Sequence, residues 1–190
     1  MSSPGGTILV CGIAGVGKTW LLHAVQGQLT NALIWSAGQI IGEARALQDP
    51  EALRSLPAEE IARSQELLVR GFEAMRDEHP NELALLDAHS VIDSAEGLID
   101  IPIVIVRRLG PVGIVHVEDA VQRILERRVN DRLRTRPPRT ADQLYEYQRR
   151  SALNCRAFAV ALRVPLRHVS AGDVAGLTQA IEDIQNGLST

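Results

Sequence analysis

Gly12-Ile13-Ala14-Gly15-Val16-Gly17-Lys18-Thr19 satisfies G-x4-G-K-[ST] at every fixed position. It follows Thr7-Ile8-Leu9-Val10-Cys11, a short apolar run rich in β-branched residues that reads as a buried strand. A helical pattern continues from the loop to about Gln28. Strand, glycine loop and helix in that order are the context in which this motif cradles phosphate. The glycines let consecutive N–H groups face one anion, and the helix N-terminus adds a partial positive charge. Lys18 would reach the outer phosphates, and the Thr19 hydroxyl would ligate Mg²⁺. The backbone of Gly12, Ala14, Gly15, Val16 and Gly17 supplies the remaining candidate contacts to ATP. Trp20 stands where many such loops place a second hydroxyl and could offer only its backbone N–H. Packing against neighbouring structure is the favoured reading of its ring, and a place beside the nucleotide is the other. Of twenty basic residues nineteen are arginine, so the one lysine, Lys18, falls where the chemistry requires it.

Outward from the loop, strand-like and helical patterns alternate. Further strands are expected at Asn31 to Ala37, Leu83 to Asp87, Val112 to Val117 and Leu166 to Val169. Helices are expected at Gln39 to Leu47, Ala58 to His79, Asp119 to Leu133, Ala141 to Leu162 and Asp173 to Ile184. In the second of these, Ile61, Leu68, Phe72 and Met75 share one face, and Pro57 suits the first turn. Alternation of this kind predicts an α/β fold, a five-stranded parallel sheet with helices on both faces.

A nucleotide held this way needs a carboxylate for Mg²⁺ at the end of a neighbouring strand. Asp87 ends one apolar strand and Glu118-Asp119 ends another; Asp87, acting through water, is preferred, and Asp119 suits a helix N-cap. His89 reads as a hydrogen-bonded structural residue or as a ligand contact. Seven arginines (123, 127, 128, 132, 134, 136 and 139) fall within seventeen residues. On a helical projection Val121, Ile124, Leu125 and Val129 share a face with the stem of Arg128, opposite Arg123 and Arg127. One reading is a solvated face with i,i+4 ion pairs such as Asp119 with Arg123. The other, preferred beside a phosphate loop, is a lid whose guanidinium forks bind phosphate oxygens.

The chain has 190 residues and a formal net charge of −3. That size predicts one domain with its own core, and the charge argues against a nucleic-acid or membrane polycation. No aromatics interleave the arginines as base stacking would require. Cys11 and Cys155 make no disulfide framework, and Cys11 reads as a small buried hydrophobe. No apolar run approaches the length of a membrane span, and no signal-like segment opens the chain. A soluble, cytoplasmic, single-domain protein is expected.

With the phosphate loop, Leu85-Leu86-Asp87-Ala88-His89-Ser90 and Arg127-Arg128-x-x-Asp131-x-x-Arg134-x-Arg136 in hand, the sequence resembles the archaeal-type adenylate kinases. These are a branch of the P-loop nucleoside monophosphate kinases. The likeness runs end to end and includes Gly38-Gln39-Ile40-Ile41, Leu53-Arg54-Ser55-Leu56 and the spacing Arg123-x-x-x-Arg127-Arg128. It implies a P-loop NTPase fold with a core of residues 7–37, 80–133 and 163–186. It also implies a helical monophosphate-binding insert at 38–79 and a short arginine-rich lid at about 134–140. The implied reaction is Mg-ATP plus AMP to two ADP. By resemblance Arg54, Gly38, Gln39 and His89 would bind the acceptor, and Arg123 would flank the ATP base. Lys18, Arg127, Arg134 and Arg136 would hold the transferring phosphates. The family includes oligomers, so a homo-oligomer stays open. The departures lie at Asp93, where a basic residue is usual, in Ser94 to Pro102, and at Pro137. Carboxylates there are expected to repel a phosphate acceptor. Two other readings stay open: an ATP-binding module whose hydrolysis gates a partner, and a kinase for another small acceptor.

Overall fold

The computed structural model describes residues 5–29, 31–46, 56–94, 96–131 and 137–187. The main sheet contains β1 (Thr7–Cys11), β2 (Ala32–Ser36), β3 (Leu83–Asp87), β6 (Pro111–Glu118) and β7 (Leu166–Ser170). Its strand order is β2-β3-β1-β6-β7, and every pairing is parallel. β1 is central, and its side chains alternate between two cores. Ile8 and Val10 belong to one core with Leu21, Leu22 and Val25 of α1 (Lys18–Gln26) and Leu177 and Ile181 of α7 (Val174–Gly187). Leu9 and Cys11 belong to the other. There they meet α2 (Ala37–Ala44), α3 (Ala58–Glu78), α4 (Ile103–Arg108) and the later part of α6 (Ala141–Leu162). Both faces are covered, so β1 and β3 read as nearly continuous apolar runs, whereas the edge strand β7 carries Arg167 and His168.

The five strands and the helices expected from the sequence are present, with the described ends displaced by a few residues; the expected ends at Leu47 and Leu133 lie outside the described residues. α6 has the expected bounds because Thr140 and Gln143 form a capping box at its start. On α3, Ile61, Leu68 and Phe72 are buried, and Pro57 is its N-cap. α5 (Val121–Asn130) buries Ile124 completely, whereas Val129 is 79% exposed. That corrects the expected face: Val129 lies in the last turn, beyond the surface the helix covers.

Beyond the expected elements, the structure adds a small antiparallel hairpin of β4 (Val91–Ser94) and β5 (Gly97–Asp100), followed by α4. The hairpin hangs between β3 and α4. Gly97, where the chain leaves the turn and enters β5, has φ of 131°, a conformation that a side chain disfavours. Tyr147 of α6 is fully buried beneath it and donates its hydroxyl to Val91 O.

Candidate active site

The loop after β1 wraps a single cavity of about 790 Å³, lined by Gly15, Lys18, Thr19, Gly38, Gln39, Asp87, His89 and Arg127 among others. It opens at the carboxyl ends of β1, β2 and β3, where ligands bind in open α/β sheets. Two glycines show why the loop takes this course. A Cβ on Gly12 would stand 2.6 Å from Val117 O. Gly17 has φ of 107°, and a Cβ there would meet Arg127 Nη1 at 2.9 Å.

Lys18 is 5% exposed, and its Nζ donates to Gly12 O at 2.8 Å. The same Nζ lies 3.7 Å from Asp87 Oδ1. Thr19 Oγ1 donates to Asp87 Oδ2 at 2.9 Å. The hydroxyl and carboxylate that the sequence singled out for Mg²⁺ therefore touch each other. This is an all-oxygen donor pair, which suits a hard cation. His89 Nδ1 lies 2.8 Å from Gly12 O while the residue also lines the cavity, so it braces the phosphate loop. Gly38 and Gln39 reach the cavity from the first turn of α2, whose N-cap Ser36 accepts from Gln39 N at 3.4 Å.

Trp20 lines the cavity with 62% of its surface exposed, which corrects the expectation that it packs. Leu21, Leu22 and Val25 occupy the buried side of α1, leaving position 20 on the open side.

Arg127 joins α5 to the loop. Its Nη1 donates to Val16 O at 2.8 Å, and its Nη2 pairs with Asp119 Oδ2. Asp119 also receives Arg123 Nε at 2.6 Å, and Arg123 stays outside the cavity lining. The expected i,i+4 pair of Asp119 with Arg123 is thus present. Asp119 is not the helix N-cap, which is Ala120; its carboxylate aims the two arginines instead. Burial pushes the Asp119 carboxyl up, but hydrogen bonds from Arg123 and Ala120 N and the charge of Arg127 outweigh it, and the net direction is down.

Asp93 corrects another expectation. It is 2% exposed and does not line the cavity. Its Oδ2 accepts from Arg128 Nη2 at 3.0 Å, and its Oδ1 from Arg139 Nη2 at 2.7 Å. Arg128 also donates to Pro137 O at 2.8 Å. Two guanidinium groups neutralise the carboxylate, so it has no free charge to turn on an acceptor. The sequence carries no local signal for this clamp, because residues 93, 128 and 139 meet only through the fold. Arg54, Arg134 and Arg136 lie outside the described residues, as does Arg132. Cys11 and Cys155 are buried free thiols. The hydrogen bond between them, with burial, raises Cys11 well above the usual thiol range, as befits an inert core residue.

A parallel sheet ordered 2-3-1-6-7, with this loop leading from the central strand, defines a P-loop NTPase fold. The chain belongs to the AAA domain family, whose model matches residues 11–145. It is similar to the adenylate kinase of Pyrococcus furiosus, with 25% identity over 93% of this chain and 92% of that protein. It is also similar to the adenylate kinase of Methanococcus aeolicus, with 28% identity over 74% and 76% of the two chains. Among solved structures, shikimate kinase from Acinetobacter baumannii in complex with shikimate superposes with a TM-score of 0.62. That match has 15% identity and covers 95% of this chain and 92% of the other, so it speaks to fold. The chain is an adenylate kinase-like phosphotransferase. Among the described residues no helix is long and apolar enough to cross a membrane.

Proposed function

We propose that this chain transfers the γ-phosphoryl group of Mg-ATP to a nucleoside monophosphate, with AMP as acceptor and two ADP as products. The supporting observation is the continuous cavity that joins Lys18, Thr19 and Asp87 to Gly38, Gln39 and His89. Its volume of about 790 Å³ lies in the upper part of the range of about 300–1,000 Å³ typical of small-molecule sites. Loop N–H groups would hold the donor phosphates, with Lys18 exchanging its bond to Gly12 O for a phosphate oxygen. Arg127, already aimed by Asp119, would spread over the transferring group and neutralise charge. The acceptor phosphate is anionic near neutral pH, so positioning replaces a general base. Thr19 and Asp87 would hold Mg²⁺, which supplies charge neutralisation at the phosphates. Arg123 would flank the base of ATP, with Trp20 also beside the nucleotide. Arg54 would take the acceptor phosphate within the 38–79 insert. Arg134 and Arg136 would close from the 134–140 lid.

A second reading, a kinase for another small acceptor, draws on the aliphatic lining of the acceptor half by Ile34, Ile41, Ile61, Leu68 and Ile105. One assay separates the two: ADP formation from Mg-ATP alone, with AMP, and with other nucleoside monophosphates. AMP-dependent turnover is expected. ADP release indifferent to every monophosphate would sink the first reading and direct the search to non-nucleotide acceptors.

A further inference from the structure

His116 and Glu118 are two residues apart on β6, so their side chains leave the same face of the sheet. β7 runs parallel beside them and sets His168 directly opposite His116. The two imidazole rings stand 5.5 Å apart between centroids, at 69°. One ligand-type atom from each of His116, Glu118 and His168 lies within 4.8 Å of the others. None of the three lines the nucleotide cavity.

His116 is fully buried. One ring nitrogen, Nε2, is 3.3 Å from Ser151 Oγ on α6. The other, Nδ1, is buried with no hydrogen-bond partner. Buried polar atoms are nearly always satisfied, so an orphan nitrogen in a cluster of donors calls for a ligand. Glu118 and His168 sit on the exposed side of the cluster, which gives an ion a route in.

From this geometry we infer that His116, Glu118 and His168 bind a divalent transition-metal ion of the zinc class, apart from the Mg²⁺ pair Thr19 and Asp87. Two imidazoles and one carboxylate match the donors zinc takes, with a fourth position left for water. They do not match Mg²⁺, which keeps to oxygen. Bonds of about 2.0–2.2 Å place tetrahedral ligand atoms roughly 3.3–3.6 Å apart. The cluster therefore closes by about an ångström, within the reach of the exposed His168 and Glu118 side chains. Ser151 holds the far side of the His116 ring and so sets its orientation, as partners of metal-bound histidines do. The ion would clip the edge strand β7 to β6. β7 leads into Ala171, whose Cβ would stand 3.8 Å from a Cβ on Gly17, so the clip also steadies the neighbour of the phosphate loop.

The test uses the full chain, stripped with chelator and free of nucleotide. Co²⁺ is titrated and followed by its visible absorption, Zn²⁺ is added in competition, and metal content is measured after dialysis. One equivalent of Zn²⁺ is expected to displace Co²⁺ and raise the thermal midpoint, with millimolar Mg²⁺ present throughout. His168→Ala and Glu118→Gln, both at exposed positions, should each weaken binding by more than about 10-fold, since even a ligand's neighbour is worth that much. Thr19→Ala should bind as the parent does. No bound zinc in the parent, or unchanged binding in either the His168 or the Glu118 variant, overturns the three-residue site. The readout is independent of kinase turnover, so failure here and failure of the proposed reaction are told apart.

Discussion

Asp93→Asn removes one charge from a nearly closed environment and leaves the shape almost unaltered. In the parent the carboxylate binds Arg128, whose side chain is 7% exposed, and Arg139, whose side chain is 20% exposed. The three charge-assisted bonds measure 3.0, 3.0 and 2.7 Å. The amide of asparagine offers one acceptor where the carboxylate offered two, and it turns an N–H₂ donor toward guanidinium donors. Arg128 retains Pro137 O but loses its counter-charge while buried. Removing one partner of a buried pair costs about 3–5 kcal/mol. Arg139 can turn toward water, so the lower end, about 3 kcal/mol, is expected. For a chain of this size that lowers the thermal midpoint by about 6–12 °C. Denaturant unfolding, followed by both fluorescence and circular dichroism, measures the loss directly. A loss under about 1 kcal/mol, the worth of an exposed pair, would refute the buried clamp. Kinetics give a second arm. The carboxylate is already neutralised by its two arginines, so KM for AMP in Asp93→Asn should stay within about threefold of the parent, well short of a fully charged contact. A large fall in KM would show that its charge does reach the acceptor.

Three further outcomes are expected. Lys18→Ala should lower kcat for ADP formation by at least about 10²-fold with the fold retained by circular dichroism, the scale of losing one preorganised donor. Gly17→Ala forces a side chain onto a φ of 107° and against Arg127 Nη1, so it should lose about 1–3 kcal/mol of stability and weaken ATP binding, measured by unfolding and calorimetry. The Asp119 carboxyl is held below its ordinary value of 3.8, so its contribution is complete above that pH and fades as pH falls through and below it. The gap in thermal midpoint between the parent and Asp119→Asn should therefore be full at pH 7 and narrow below about pH 4; a constant gap would refute the ion-pair account.

Some of this architecture is written locally and some is not. β1, the glycine loop and the start of α1 follow from adjacent residues. The apolar run makes the strand, the glycines permit the loop, and Lys18 and Thr19 fall at its end. α6 is equally local, because Thr140 and Gln143 cap each other within one turn. The hairpin of β4 and β5 leaves no local signal because its four-residue strands are too short to show a period and gain their packing from Tyr147, far along the chain. The place of Trp20 is non-local for a similar reason: its position in the sequence does not say which side of α1 the sheet covers.

The amino-acid sequence determined the phosphate loop, the alternation of strands and helices and the place of the one lysine at the end of that loop. These depend on spacing within a few residues. Only the tertiary structure decided that Asp87 meets Thr19, that Asp93 is consumed by Arg128 and Arg139, and that His168 stands beside His116. Each of those pairs joins residues dozens of positions apart, and their distance is set by strand order and helix packing. Charge and hydrogen-bonding act over a few ångströms in space, so a linear pattern names the groups, and the fold chooses their partners.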